Sequence, residues 1–194
     1  MGAVLARMGD IFEGSADLTV LPCSAKGTVS SATARWIETY EIPSPQGLQV
    51  QLNLGGVSDL IPFPGSKHIT KFIIFAASVF NDYSSVEAIE KIGREIGTIT
   101  IDNPEIRIIE SPLLGTGAGG LMTEDAGVAL AKGFKSSFNK NSMLYIFVFD
   151  KERFTLLNNK LNEGFLSRIW SSIGFKLGLL GISVDLKKLF SGKK

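Results

Sequence analysis

The chain has 194 residues, 44% of them hydrophobic and 20% charged, which is enough apolar chain for one well-buried core but not two and excludes wholesale disorder. Lys and Arg total 20 against 19 Asp and Glu, and a net charge of +1 excludes the concentrated positive field of a duplex nucleic-acid binder. A single cysteine, Cys23, excludes an intrachain disulfide.

The segment Met1 to Arg7 lacks the charged and apolar regions of a secretory signal, so a cytoplasmic setting is expected. Val4 to Met8 reads as a first strand closed by Gly9-Asp10, and Asp17 to Leu21 as a second ended by Pro22. The small, polar stretch Cys23 to Ser31 is a loop. Ser30 or Ser31 caps a helix through Ala34, Ile37 and Tyr40, stopped by Pro43 and Pro45. Leu48, Val50, Leu52 and Leu54 alternate with Gln49, Gln51 and Asn53, predicting a half-buried strand. Gly55 to Lys67 predicts strand and loop at a sheet edge, and Phe72 to Ala77 a strand covered on both faces. Ser84 or Ser85 caps a helix with Val86, Ile89, Ile92 and Ile96 on one face, and Glu87 stands at capping-box spacing from Ser84. Ile106 to Glu110 is a strand, followed by a glycine-rich loop. A helix starts at about Thr123, and Met143 to Phe149 is the last strand. This alternation predicts an α/β fold with helices on both faces of a mixed or parallel sheet.

From Glu152 the pattern is helical, with Phe154, Leu157, Leu161, Phe165 and Ile169 on one face and Trp170, Ile173, Leu177, Leu180 and Val184 continuing the stripe. Its longest run without an ionisable side chain, Leu177 to Val184, is too short to span a bilayer. The chain therefore divides into a ligand-binding domain over 1–150 and a helical extension over 151–194. Three destinations for the stripe stay open: the same core, self-association or partner contact through 152–190, and a membrane surface. The C-terminal lysines 187, 188, 193 and 194 read as a solubilising tail.

The loop Gly115-Thr116-Gly117-Ala118-Gly119-Gly120 is the strongest chemical feature. Small residues let successive N–H groups turn inward and cradle phosphate oxygens without a cationic side chain, and the helix that follows adds its positive end if it points there. No Gly-Lys-Ser/Thr follows, so this is not a P-loop. Asp10, directly after the first strand, can accept a hydrogen bond from an amino group of a base. The Cys23 to Ser31 loop lies at the same, C-terminal sheet edge, where Ser24, Gly27, Thr28 and Lys26 can reach a ribose or phosphate. One histidine, His68, and one cysteine do not make a zinc ligand set, so no metal is expected, nor any resident cofactor.

Taken together, Gly9-Asp-Ile-Phe12, Asp17-Leu-Thr-Val-Leu-Pro-Cys-Ser24 and Glu110-Ser-Pro-Leu-Leu-Gly-Thr-Gly-Ala-Gly-Gly120 resemble the macro domain family over roughly residues 3–150. The resemblance implies a three-layer α/β/α fold with a mixed sheet of about six strands, and binding of ADP-ribose or a related adenine diphosphate. It implies that Asp10 and Ile11 hold the adenine, that Gly115, Thr116, Gly117, Ala118, Gly119 and Gly120 wrap the diphosphate, and that Phe149 lies near the base. The Cys23 to Ser30 loop, with Ser24, Gly27 and Thr28, would meet the distal ribose. The implied partner is an ADP-ribose-like small molecule or an ADP-ribosylated macromolecule. The family's hydrolases carry Asn-Ala-Ala-Asn where this chain has Leu21-Pro22-Cys23-Ser24, so the amide that orients the distal ribose is missing. Two alternatives remain beside binding: an ADP-ribosyl hydrolase with a non-standard distal site, and an interaction module using the apolar C-terminal helix.

Overall fold

Apolar runs become strands wherever a helix can cover them. In the structure, a computed structural model that describes residues 4–46, 52–65 and 69–163, the strands are β1 (Val4–Met8), β2 (Ala16–Ser24), β3 (Ile61–Pro62), β4 (Thr70–Val79), β5 (Ile108–Pro112) and β6 (Met143–Val148). They form one sheet in the order β1-β6-β5-β2-β4-β3, all parallel except the edge pair β3–β4. The helices are α1 (Ser31–Thr39), α2 (Val86–Asp102) and α3 (Thr123–Ser136), and residues 151–163 are helical as well. This is the predicted α/β architecture with a mixed sheet of six strands.

One sheet face packs against α2 and α3. Val4, Leu18, Val20, Ile74, Ile109, Leu144 and Ile146 from the strands meet Ile89, Ile92, Ile96, Leu130 and Phe134 from the helices. The two helices approach closely because Gly97 and Gly133 stand at their contact. A Cβ on Gly97 would strike the Ser137 carbonyl, and one on Gly133 the Glu90 carbonyl. The opposite face carries Leu21, Ile73, Phe75 and Ala77 beneath Trp36 and Phe63, whose rings stack at 5.0 Å. Asp17 fixes the base of β2: its carboxylate meets Lys71 Nζ at 2.6 Å and accepts from the Arg107 and Ile108 amides at 2.8 and 2.9 Å. Burial opposes ionisation of Asp17, but those partners outweigh it and lower its pKa.

Several predicted boundaries shift. The second strand does not stop at Pro22 but runs through it to Ser24. Among the described residues no strand pairs with β2 on its β5 side beyond Thr19, so the missing proline N–H costs no ladder bond there. The Ile106–Glu110 strand is β5, two residues later, because Asp17 holds the Arg107 and Ile108 amides at its start. Ser85, not Ser84, caps α2 by accepting from the Ala88 amide, so the capping-box spacing counted from Ser84 is unused. The predicted strand 48–54 lies in part outside the described residues, and its described part, 52–54, is not strand; the edge position belongs to Ile61–Pro62.

Contacts divide the chain into a unit ending at Leu161 and a second from Asn162 to Lys194. Within the first, Leu157 of the 151–163 helix is fully buried against Gly127. His68 and the stripe beyond residue 163 lie outside the described residues. Among the described residues no helix is long and apolar enough to cross a membrane.

Candidate functional site

Because β1, β2, β4, β5 and β6 are parallel, the segments leaving their C-terminal ends converge on one edge of the sheet. There the sheet splits. β2 pairs with β5 only at Leu18 and Thr19, after which β2 continues with β4 to Ser24 and β5 continues with β6 to Pro112. The two central strands part as they reach the edge. A cavity of about 780 Å³ opens there, with Pro22, Cys23 and Ser24 on one wall and Pro112 to Ala118 on the other. A crevice at such a divergence is the usual ligand position in an open α/β sheet.

The glycine-rich loop forms the middle of the cavity, lined by Gly115, Thr116, Gly117 and Ala118. Gly120 donates its amide to the Gly117 carbonyl at 3.1 Å and Leu121 donates to the Gly115 carbonyl at 3.1 Å, closing the loop on itself. The five amides from Gly115 to Gly119 donate to no acceptor among the described residues. Each glycine has a separate reason. Gly115 and Gly120 adopt φ of +75° and +70°. Gly119 is squeezed: a Cβ there would lie 2.6 Å from both the Gly115 carbonyl oxygen and Ser84 Cβ. At Gly117 a Cβ would meet no protein atom within 4 Å. Gly119 and Gly120 shape the loop without lining the cavity. The first residue of α3, Thr123, does not line it either, so the backbone that borders the cavity here is that of the loop and not the helix N-terminus.

One end of the cavity is formed by Ile11, Phe149, Asp150 and Arg153. Phe149 follows β6 and is 72% exposed, a large apolar ring with no protein cover. Asp10 does not line the cavity. Its Oδ1 accepts from the Phe12 amide at 3.0 Å and caps the short 3-10 turn Ile11–Glu13 that carries Ile11 to the rim. Arg153 makes no ion pair among the described residues.

At the other end the β2–α1 loop closes on itself. The Ser24 hydroxyl lies 2.5 Å from the Thr28 hydroxyl and accepts from the Lys26 and Thr28 amides, while the Ser24 amide donates to the Thr28 carbonyl. Ser24 and Thr28 line the cavity and share one hydroxyl–hydroxyl hydrogen bond, which leaves one of the two hydroxyl protons unspent. Gly27, at φ +79°, makes the turn and packs on Gln46 away from the cavity. Lys26 Nζ sits 5.6 Å from the Phe80 ring centroid. Burial pushes the Cys23 thiol up to about 12, so it lines the cavity as a neutral group. The sequence reading did not single out Ser78, Asn81, Asp82 and Arg153, which also line the cavity. A signal existed for the pair: Asn81-Asp82 directly follows a buried strand whose end reaches the same edge.

Glu110 is the electrostatic anomaly behind the site. It lies in the middle of β5 and is 1% exposed, and its carboxylate has no well-formed hydrogen bond among the described residues, the Ser15 backbone N–H offering only a weak one. Gly14, just after the 3-10 turn, packs so closely that any Cβ would overlap the carboxylate. Burial raises its pKa, opposed by the Arg7 charge, whose Nη1 is 3.7 Å from Oε1, and by the Ser15 backbone. Arg7 itself lies over the Tyr145 and Phe147 rings.

No protein-family model and no curated protein sequence matches the chain. Solved structures do. The macrodomain of Mycobacterium tuberculosis DarG superposes at a TM-score of 0.64 with 16% identity, covering 77% of this chain and all of that one. An Oceanobacillus iheyensis macrodomain with ADP gives 0.63 with 14% identity over 84% of this chain and 91% of that one. A Trypanosoma brucei macrodomain in complex with ADP gives 0.62 with 14% identity over 81% and 68%. The fold is therefore the macro domain fold, the one the three sequence motifs resemble.

Proposed function

We propose that this chain binds ADP-ribose, or a close relative carrying an adenine diphosphate, in the crevice between β2 and β5. The observation that carries the reading is that Gly115 to Ala118 line the cavity and that their amides, like that of Gly119, donate to no acceptor among the described residues. Gly117 and Ala118, at the centre of the run, are exposed, so their amides are open to an incoming acceptor, and a diphosphate is a ligand whose oxygens match several closely spaced donors at once. The exposed Phe149 ring and Ile11 offer an apolar clamp for a base at one end. Two of the structures with this fold were solved with ADP, which supports an adenine diphosphate as the ligand class. The reading covers ADP-ribose free in solution and ADP-ribose as the end group of a modified macromolecule.

Calorimetric titration tests it. ADP and ADP-ribose are expected to bind saturably at one site, and adenosine, which lacks the diphosphate, at least about tenfold more weakly because the charge-assisted bonds are gone. Equal affinity for adenosine and ADP would contradict a diphosphate grip.

A further inference from the structure

We infer that the turn from Phe80 to Tyr83 reads the distal group of the ligand, with Asn81 and Asp82 hydrogen-bonding the neighbouring hydroxyls of a sugar; this rests on the ADP-ribose reading above. The turn leaves β4 at the end of the cavity opposite Phe149, beyond the glycine-rich loop in the strand order. Phe80 and Tyr83 exchange both backbone hydrogen bonds, at 2.9 and 3.1 Å, and leave two residues between them. Both of those adopt left-handed φ, 48° at Asn81 and 56° at Asp82. Such a two-residue turn takes glycine most easily at its second position, yet this chain keeps a carboxylate there. The next residue ties the turn to the site: the Ser84 amide donates to the Gly119 carbonyl at 3.2 Å. The turn is thus held in register with the amides proposed to grip the diphosphate.

The polar inventory of this end points to the same pair. Ser24 and Thr28 bond to each other, Ser30 caps α1, and Lys26 lies on the Phe80 ring. Of the side chains lining this end, Lys26, Ser78, Asn81 and Asp82 have no hydrogen-bond partner among the described residues, and of these Lys26 is held on the Phe80 ring. A carboxylate accepts from two adjacent hydroxyls at once, and a carboxamide both donates and accepts, so the pair fits a vicinal diol. The carboxylate of Asp82 offsets the charge of Lys26 on the neighbouring Phe80 ring, so this end carries no net positive charge to draw a further phosphate. The distal group is therefore a neutral sugar, read by the β4 turn and not by the β2–α1 loop.

The test compares ADP-ribose with ADP, which lacks the distal sugar, on wild type, Asp82→Gly and Asn81→Gly. Glycine suits the left-handed backbone, so both variants are expected to fold with Tm equal to or above wild type. The expected result is that preference for ADP-ribose over ADP falls about tenfold in Asp82→Gly, with a similar direction in Asn81→Gly. An unchanged preference in both variants, or a wild type that binds ADP as tightly as ADP-ribose, would overturn the assignment. A wild type that binds neither nucleotide would instead overturn the reading beneath it.

Discussion

Gly117→Leu is expected to abolish binding of both ADP and ADP-ribose, an affinity loss of at least about a hundredfold, while the unliganded protein keeps its Tm within about 2 °C. The reasoning is steric. Gly117 lines the cavity, its φ lies outside the left-handed region, and a Cβ there finds no protein atom within 4 Å. The fold therefore tolerates a side chain, and on the proposed reading the space that side chain takes is the ligand's. Gly119→Ala makes the contrast, because its Cβ would press on the Gly115 carbonyl and Ser84. That change is expected to lower both stability and affinity. Isothermal titration paired with a thermal melt separates the two cases. Undiminished affinity in a folded Gly117→Leu would remove the loop from the site.

Glu110→Met should raise stability at pH 7.5, by about 2 kcal/mol, or roughly 4–8 °C in Tm for a domain of this size. The wild-type carboxylate is 1% exposed and has no well-formed hydrogen bond among the described residues beyond a weak one from the Ser15 backbone, and the charge that opposes its burial, Arg7, is 55% exposed and 3.7 Å away. Such a partner, half in water, repays only part of the desolvation cost. The pH dependence has a definite sign. Burial raises the folded-state pKa above the ordinary glutamate value of 4.5, so the folded chain holds the proton more tightly than the unfolded one. The penalty is therefore absent below about 4.5 and grows as pH rises through the folded-state pKa. The advantage of Glu110→Met should shrink toward zero at low pH. Chemical denaturation at pH 7.5 and pH 4.5 checks this; a variant no more stable than wild type at pH 7.5 would show the carboxylate to be better compensated than its surroundings imply.

How far the fold was legible from the residues depends on which force set each element. Strands such as Phe72 to Ala77, and the helix carrying Ile89, Ile92 and Ile96, were visible because burial leaves a local pattern. The shift of β5 by two residues was not, since it is set by the distant Asp17 carboxylate. Continuation of β2 through Pro22 depends on β5 parting from it, a long-range event with no mark in the local sequence. The same distinction runs through the site. Gly115 to Ala118 announced themselves by composition, and they line the cavity. Asp10 caps the turn Ile11–Glu13 through one carboxylate oxygen, a local competition for a neighbouring amide that residue type alone does not reveal, and Ile11 beside it reaches the cavity rim. Ser24 and Thr28 line the cavity as expected but are bonded to each other, a pairing that spacing alone does not reveal. Asn81 and Asp82 were passed over because an Asn-Asp turn is ordinary punctuation until the sheet order puts it at the same edge as the glycine loop.

The most direct test of the central claim observes the amides themselves. In a nitrogen-15 correlation spectrum of the labelled protein titrated with ADP, the backbone resonances of residues 115 to 119 should move downfield together and more than any others, as N–H groups acquire charged acceptors. Saturation of the protein with ADP while those five resonances stay in place would contradict the claim.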